Sequence, residues 1–222
     1  MDGVKRGENL AVMPTPAAAR GIDPVAACWS CHGPVDPVAL FCGTCAAVQP
    51  PGRADHFTRL GLGSAFDVDP ALLDRHYFDR QRQLHPDRFA TRTPRERALS
   101  QSQATAVNEA YETLKDPLRR ADYLLRQSDS GATPQACHMI NDMALLTEAM
   151  EMREALAEAA DADAVTALAE RAADDIGRCV AGLSRAFADE DFETAARQTT
   201  RLKYLRKLAD DCRIRRLQLA RP

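Results

Sequence analysis

The sequence predicts an all-α protein that consists of a helical hairpin and a C-terminal three-helix bundle, preceded by a small tetracysteine metal-binding module. Three observations predict this fold class. Hydrophobic residues make up 45% of the 222 residues but aromatic residues only 5%, so alanine and leucine must build most of the core, as they do in helical bundles. Apolar residues recur at helical spacing from about residue 55 onward. Four cysteines in two C-x-x-C pairs precede that region.

Composition and charge argue against several classes of function. A formal net charge of −3 gives no support for nucleic-acid binding. The sequence has no run of 18 apolar residues and no apolar signal-peptide core, so we expect neither a membrane partner nor export. Residues 1–26 are predicted to form a flexible N-terminal tail. The alanine- and arginine-rich composition favours the cytoplasm of a bacterium, with the mitochondrial matrix as the alternative.

Residues 27–52 are predicted to form a metal module. Each C-x-x-C turn directs two sulfur atoms to one side, and two such turns complete a tetrahedral site with Zn–S bonds of about 2.3 Å. So short a segment has too few apolar residues for a core of its own, and metal binding would supply the folding free energy. We therefore expect one structural zinc ion, bound by Cys28, Cys31, Cys42 and Cys45.

Three other interpretations of these cysteines are open. The run from Cys28 to His32 also matches the C-x-x-C-H haem-attachment pattern, but haem attachment needs export and leaves the second pair unexplained. A dithiol redox pair would need a strand–helix–strand context, which the sequence lacks. Iron is a chemical alternative to zinc. Seven cysteines are an odd number for a disulfide framework, and we expect the remaining three to be small buried residues: Cys137, Cys179 and Cys212.

Local capping chemistry specifies the helices that follow the module. The Pro-Pro-Gly sequence at 50–52 is typical of a linker, and a short helix is predicted at about 55–61. A second helix begins where Asp69 caps and Pro70 takes the first helical position. Its apolar face is predicted to contain Leu73, Tyr77 and Leu84.

The third and fourth helices are specified in the same way. Thr93 has capping-box spacing to Glu96, and the third helix continues from there to about Lys115. The dipeptide Asp116-Pro117 ends it and starts the fourth helix. The predicted apolar stripes are Leu99, Ala106, Ala110 and Leu114 on the third helix, and Leu118, Ala121 and Leu125 on the fourth.

The C-terminal part of the chain is predicted to form a separate bundle. The segment 128–134, which contains Ser, Gly and Pro, is typical of a linker. Three helical runs follow at about 138–159, 161–188 and 190–218, with acidic turns between them. Helices joined by such short turns form an antiparallel bundle, which we assign to residues 134–222.

A His-Pro-Asp tripeptide, His85 to Asp87, lies at the tip of the predicted hairpin. A His-Asp pair suggests acid–base chemistry, but a catalytic dyad needs a nucleophile or a substrate pocket, and here arginines surround the pair. The proline makes the tip rigid at low entropic cost. A rigid, charged, protruding tip suits docking onto another protein.

The sequence HPDRF, followed by AVNEAYETLKDPLRRADYLL, resembles the J-domain of DnaJ-type co-chaperones and places that domain at residues 55–128. The resemblance implies that the tripeptide contacts a DnaK/HscA-type heat-shock chaperone and triggers its ATP hydrolysis. It also implies a basic second helix. The implied chaperone-binding residues are His85, Pro86, Asp87, Arg75, Arg80, Arg82 and Arg88.

The segment LLTEAMEMREAL at 145–156 resembles the scaffold-binding helix of the HscB family, the J-proteins dedicated to iron–sulfur cluster assembly. The cysteine module resembles an N-terminal extension of the eukaryotic members. The resemblance implies binding of the cluster scaffold IscU. Thr147 departs from the family, which usually has a second apolar residue there. The implied scaffold-binding residues are Leu146, Met150, Glu151, Glu154, Glu158 and Tyr204.

The spacing of these residues suits a binding surface. Leu146, Met150, Glu154 and Glu158 recur every four residues and are predicted to form one stripe, apolar at one end and acidic at the other. An interface needs both an apolar anchor and polar groups that fix the register. Without the resemblance, Leu146 and Met150 would be assigned to the core and the glutamates to solvent.

The sequence therefore predicts a co-chaperone and not an enzyme. It would bind the scaffold through the bundle and stimulate the chaperone's ATPase through the loop, promoting cluster transfer. Two alternatives are open: a general J-domain co-chaperone for unfolded clients, and a cysteine-based redox or metal protein. Three roles are open for the cysteine module, namely docking on the J-domain, joining two protomers and contacting the scaffold. A homodimer is left open as well.

Overall fold

The computed structural model describes residues 26–128 and 143–220, and within them the chain is mostly helical, which confirms the predicted fold class. The tail predicted at the N-terminus lies outside the described residues except for Ala26. Cys137 and nearly all of the predicted linker also lie outside them. No helix in the two described segments is long and apolar enough to cross a membrane.

Two short strands and seven helices make up the described segments. The strands pair antiparallel and are β1 (Ala26–Ala27) and β2 (Pro34–Val35). The helices before residue 129 are α1 (His56–Leu60), α2 (Pro70–Leu84), α3 (Pro94–Lys115) and α4 (Pro117–Gln127). The helices after residue 142 are α5 (Met143–Glu158), α6 (Ala162–Ala188) and α7 (Phe192–Leu219).

The predicted capping residues begin the helices. The Glu96 backbone N–H donates to Thr93 Oγ1 at 3.2 Å, and the Thr93 backbone N–H donates to Glu96 Oε2 at 3.1 Å, so both arms of the capping box are present. Asp69 caps α2 by accepting from the Ala71 N–H at 2.9 Å. The same role at the starts of α6 and α7 is taken by Asp161 and Asp191.

Helices α2 and α3 pack with α1 around one apolar core. The predicted stripe on α3 is wrong in its first half, because Leu99 and Ala106 are only partly buried whereas Gln103 and Val107 are buried. A shift of one residue rotates a side chain by about 100° around a helix. The direction of the stripe depends on what packs against α3, and the periodicity of α3 alone does not show it. Buried members of this core include Phe57, Leu60, Leu73, Leu84, Ala110 and Leu114.

In the C-terminal bundle, α6 and α7 pack closely and α5 is less buried. Leu145 is the one buried residue of the 16 in α5. By comparison, α6 has the buried residues Val165, Ala172, Cys179, Leu183 and Ala186, and α7 has seven. Much of the apolar surface of α5 therefore remains exposed.

The N-terminal helical part shares a core with the bundle through α4 and the loop between α1 and α2. Phe66, in the loop between α1 and α2, is buried in the bundle core together with Leu183 and Leu205. Its ring stacks on that of Phe187 in α6 with the centroids 5.2 Å apart, and the Arg120 guanidinium carbon lies 4.9 Å from the Phe66 ring centroid. A single phenylalanine in a loop has no periodicity, so the sequence did not predict this contact.

Ion pairs join α4 to α7 at the edge of this shared core. The Asp116 carboxylate accepts from Arg206 Nη1 at 2.6 Å, and Asp122 Oδ1 lies 3.0 Å from Lys203 Nζ. Burial opposes ionisation of Asp116, but the Arg119 backbone N–H and the Arg206 guanidinium outweigh it and keep the pKa of this carboxyl below its usual value. These partly exposed pairs fix orientation more than they add stability.

We expect Phe66→Ala to destabilise the protein by about 3 kcal/mol, because it removes a buried ring and leaves a cavity at the joint. Calorimetry should show one cooperative unfolding transition for the unchanged protein and two transitions for the variant, one for the hairpin and one for the bundle. Phe78→Ala is the matched control, since the Phe78 side chain is 56% exposed. Equal unfolding curves for the two variants would contradict a shared core.

Candidate functional site

The four cysteines of the N-terminal module converge on one point. The Sγ atoms of Cys28 and Cys45 are 3.7 Å apart, and so are those of Cys31 and Cys42. All four lie within 4.8 Å of one another. A tetrahedral site with Zn–S bonds of about 2.3 Å has edges of about 3.8 Å. The four thiols can therefore hold a metal ion with little rearrangement.

Two turns of the same geometry build this cluster. The His32 N–H donates to the Cys28 carbonyl and the Ala46 N–H to the Cys42 carbonyl, each at 2.9 Å. Both donors have left-handed backbones, with φ values of 60° and 57°. The exposed His32 thus takes the backbone position that Ala46 takes in the other turn. Its imidazole is not needed to complete a site that already has four sulfur atoms.

Backbone donors favour thiolates within the cluster. Burial opposes ionisation of Cys28, but the N–H groups of Cys31 and Ser30 and the neighbouring thiols outweigh it and lower the pKa of Cys28 to about 6. The N–H groups of Cys45 and Thr44 are the main cause that lowers the pKa of Cys42. Metal binding requires deprotonated thiols, so these turns prepare the site for a cation.

Cys31 differs from Cys28 and Cys42 in the direction of its pKa shift. The Gly33 N–H favours a thiolate at Cys31, but interactions with the other three cysteines outweigh it and raise the pKa of Cys31 to about 12. Thiolates this close together repel one another, and a divalent cation at this point would remove that repulsion. The arrangement is therefore that of a metal site.

The module is docked on the helical hairpin, which is the first of the three roles left open for it. Leu40 and Val48 are buried in the same core as Phe57 of α1. The Trp29 indole N–H donates to the Val48 carbonyl at 2.7 Å, and the Arg95 guanidinium of α3 lies 4.3 Å from the Trp29 ring centroid. Part of the apolar core that the module lacks is thus provided by the hairpin.

A chain of hydrogen bonds links the metal site to α3. Gln49 is buried and donates from Nε2 to Cys28 Sγ at 3.4 Å and to the Ala47 carbonyl at 2.7 Å. The Gln49 carbonyl in turn accepts from Nε2 of the buried Gln103 at 2.9 Å. The sequence pattern contains no signal for the contact between these two glutamines, because they lie 54 residues apart in the chain.

The His-Pro-Asp tip is exposed and internally ordered. His85 ends α2 and begins a short 3-10 helix, Pro86–Phe89, and its Nδ1 accepts from the Asp87 N–H at 3.3 Å. The Asp87 carboxylate lies 3.6 Å from the same nitrogen, while the side chains of both residues are largely exposed. Phe89 is buried and anchors the turn in the hairpin core. Such a tip can present His85 and Asp87 to a partner without rearranging.

The predicted basic residues do not share one face. Arg75 and Arg82 lie two turns apart on one exposed side of α2, where Arg82 pairs with Asp79. Arg80 is only partly exposed, and its guanidinium lies against Gly61 at the end of α1. Arg88 is exposed within the 3-10 helix itself.

Sequence reasoning missed one large residue on this side of α2. The exposed Phe78 lies between Arg75 and Arg82 and contacts Tyr77, with ring centroids 5.2 Å apart. Its aromatic type could have drawn notice, but an exposed position gives no periodic signal. The tip is therefore flanked by both charged and apolar groups.

An apolar groove of about 730 Å³ runs between α5 and α7. It brings together Leu146 and Met150 of α5 with Tyr204 of α7, which are 40%, 63% and 37% exposed. Their exposure rules out the interpretation that Leu146 and Met150 are core residues. Thr147 also lines the groove, and its hydroxyl donates to the Met143 carbonyl at 2.8 Å, so its polar group is already satisfied.

The structure separates the three predicted glutamates from this groove. Glu151 lines a second groove, of about 390 Å³, on the other side of α5. Glu154 and Glu158 are exposed and line neither groove. The reason is geometric: residues four apart on a helix drift by about 40° per step, so a stripe that starts at Leu146 has turned about 120° by Glu158.

An ordered His-Pro-Asp tip on a helical hairpin, joined through a shared core to a three-helix bundle, defines the chain as a J-domain co-chaperone with its own C-terminal bundle. Residues 141–213 match the family model described as the HSCB C-terminal oligomerisation domain. The chain belongs to the HscB family of iron–sulfur cluster co-chaperones.

Relatives from distant organisms support this assignment. The human iron–sulfur cluster co-chaperone protein HscB is 33% identical over 196 residues, which cover 86% of this chain and 83% of the human protein. An HscB homolog from Arabidopsis thaliana is 30% identical over 187 residues, covering 84% of this chain and 73% of the plant protein. The crystal structure of human HscB matches with a TM-score of 0.78 at 32% identity, covering 87% of this chain and 100% of that one.

Removing the metal should destabilise the helical hairpin as well as the module, because the two share a core. We expect chelator-treated protein to unfold at a temperature lower by about 5 °C or more. Amide hydrogen exchange should become faster in α3 around Gln103, whereas the α6–α7 pair serves as the internal control. Faster exchange confined to the module, with α3 unchanged, would contradict this coupling.

Proposed function

We propose that this chain brings the cluster scaffold IscU to a DnaK/HscA-type heat-shock chaperone. The bundle, residues 134–222, binds the scaffold, and the J-domain, residues 55–128, stimulates ATP hydrolysis by the chaperone. The chaperone then closes on the scaffold and promotes cluster transfer. The metal module, residues 27–52, supports the J-domain. The observation that carries this proposal is the presence of an exposed tripeptide tip and an exposed apolar groove on two domains that share one core.

The geometry of the tip supports a role in docking. His85 and Asp87 are exposed and already held in place by the buried Phe89 and by their own hydrogen bond. A surface that is ordered before binding loses little conformational entropy on association. The tip and the flanking Arg75, Arg82 and Arg88 are the surface that we assign to the chaperone.

The groove supports scaffold binding through apolar contact. Leu146, Met150 and Tyr204 converge there from two helices, and aromatic and methionine side chains are enriched at the centres of interfaces. Methionine is flexible and fills irregular partner surfaces. Glu151, Glu154 and Glu158 lie outside the apolar groove, and we propose that their charges act at longer range on the orientation and rate of association.

The shared core gives the proposal its physical mechanism. A scaffold bound in the groove and a chaperone bound at the tip are held on the same body, which raises the effective concentration of each for the other. The chain itself performs no covalent chemistry in this scheme. It positions two partners, and the hydrolysis of ATP takes place in the chaperone.

The two alternative functions make different demands on the structure. A general co-chaperone for unfolded clients would bind denatured protein through an exposed apolar groove and would be indifferent to the scaffold. A cysteine-based redox protein would need reactive thiols, whereas here all four converge in a geometry that fits a metal ion. We propose that one structural zinc ion is bound there. Less than half an equivalent of zinc in protein produced without added metal would contradict this.

For the setting of this activity, we propose the bacterial cytoplasm, with the mitochondrial matrix as the alternative, since both keep thiols reduced. A homodimer through the bundle is a further proposal, supported by the oligomerisation description of the matched family model. No nucleic-acid or membrane partner enters the proposed mechanism.

We expect His85→Gln to abolish stimulation of the chaperone's ATPase while scaffold affinity stays unchanged, because the tip and the groove are separate surfaces. Steady-state ATPase assays and a scaffold titration measure the two effects. His32→Asn is the matched control, an exposed histidine outside the tip at a left-handed position that asparagine tolerates. Stimulation retained by His85→Gln would remove the tip from the mechanism.

We expect the double variant Leu146→Ala/Met150→Ala to bind the scaffold about tenfold more weakly, since both side chains would be desolvated at the centre of the contact. Its unfolding temperature should be almost unchanged because both residues are exposed in the free protein. Leu217→Ala is the control, because Leu217 is an exposed residue of α7 that does not line the groove. Equal scaffold affinity for the double variant and the control would show that the groove is not the binding site.

A further inference from the structure

One guanidinium joins all three helices of the bundle. Arg201 of α7 lies with Nε 3.0 Å from both carboxylate oxygens of Glu148 in α5, and its Nη2 is 2.6 Å from Glu148 Oε1. The same Nη2 is 3.5 Å from Asp175 Oδ1 in α6. Asp175 also accepts from Arg178 of its own helix at 2.6 Å. We call Glu148, Arg201 and Asp175 the bundle clamp.

The bundle clamp acts on the side of α5 that faces away from the apolar groove. Glu148 is two residues from Leu146 and two from Met150, which places it about 160–200° around the helix from them. Glu148, Arg201 and Asp175 line the second groove, and none of them lines the first. A scaffold seated on Leu146 and Met150 would therefore not contact Arg201.

Few apolar contacts hold α5 in place, so this polar contact has unusual weight. Leu145 is the one buried residue of α5, and Met152 and Leu156 are partly buried against the other helices. A helix with so little burial can rotate or move outward at low cost. A forked ion pair has a fixed geometry and opposes both movements.

The environment of the clamp strengthens it relative to an ordinary surface pair. The side chains of Arg201, Glu148 and Asp175 are 27%, 32% and 25% exposed. Partial shielding from water reduces screening by salt, and the second carboxylate adds to the attraction. Lysine at position 201 would keep the charge but lose the fork.

We propose that Arg201 is a positioning residue that sets the rotation and depth of α5 and thereby holds Leu146 and Met150 at the groove in an orientation ready for the scaffold. This inference rests on the proposed scaffold function for its consequence, but the structural role of the clamp does not depend on that function. Arg201 acts through α5 and makes no contact with the partner.

The test compares Arg201→Met and Arg201→Lys with the unchanged full-length protein. Arg201→Met keeps an apolar side chain of similar reach but removes the charge, and it should make amide exchange in α5 about fivefold faster and scaffold binding about fivefold weaker. Arg201→Lys should give an exchange rate in α5 and a scaffold affinity between those of Arg201→Met and the unchanged protein. The α6 and α7 amides far from the clamp should keep their rates, and ATPase stimulation measured without scaffold should be unchanged.

A charge-swapped variant tests the mechanism directly. Glu148→Arg alone should loosen α5. Glu148→Arg combined with Arg201→Glu and Asp175→Asn should restore slow exchange in α5 and most of the scaffold affinity, since the third change removes the carboxylate that would repel the new one. Arg213→Met is the matched control, because Arg213 is on the same helix and, among the described residues, forms an ion pair within that helix, with Asp210 at 3.4 Å. This control should change neither α5 exchange nor scaffold affinity.

The outcomes separate the clamp from the proposed function. Unchanged exchange in α5 for Arg201→Met overturns the clamp, whether or not a purified IscU scaffold binds. Weaker binding with unchanged exchange would likewise overturn it, since Arg201 would then contact the scaffold itself. If the unchanged protein fails to bind the scaffold, the proposed function is wrong, while faster exchange in the variant and its reversal by the swap still support the clamp.

Discussion

The core that α4 and Phe66 share with the bundle is the contact on which the rest of the structure depends. Phe66 lies in the loop between α1 and α2 and is buried among residues of α6 and α7. Two ion pairs join the start and the middle of α4 to α7 at the edge of this core. Close-packed cores deform little, so α4 and the α6–α7 pair keep one relative orientation, while α5 depends on the bundle clamp for its position. Domains joined only by a flexible segment would sample many orientations, and the two binding surfaces would act independently.

The metal module also depends on a shared core, because a segment this small does not fold by itself. Its two C-x-x-C turns bring four sulfur atoms together, and Leu40 and Val48 complete the hairpin core. The hydrogen bonds from Cys28 through Gln49 to Gln103 connect the cluster with α3, the helix that also packs against the tripeptide turn. A metal ion bound by the four cysteines would therefore stabilise the helix against which the tip packs.

Helix α5 shows how the bundle reconciles stability with binding. A helix that buries all its apolar residues is stable but offers no anchor to a partner, and one that exposes them is held weakly. Here the apolar residues Leu146 and Met150 stay exposed on one side, and Glu148 makes a forked contact with Arg201 on the other. Polar contacts on the far side compensate for apolar area kept free for binding.

Sequence alone determined the features whose chemistry spans a few residues. The capping box, the proline helix starts, the His-Pro-Asp tip and the two C-x-x-C turns depend on neighbours three or four positions away, so their identities and spacing were sufficient. The all-α class followed from the same local signals. The residues of the groove came from the resemblance to HscB, and periodicity by itself had favoured placing Leu146 and Met150 in the core.

Only the tertiary structure decided which of these features meet, and in what direction. It placed the metal module on the hairpin and inserted Phe66 into the bundle. It turned Arg80 away from Arg75 and Arg82, and it separated the glutamates of α5 from the apolar groove. Each of these depends on the rotation of a helix about its axis or on partners distant in the chain. Local periodicity shows neither the rotation of a helix nor its distant partners. An error of one residue in assigning the apolar face already turns a side chain by about 100° around the helix.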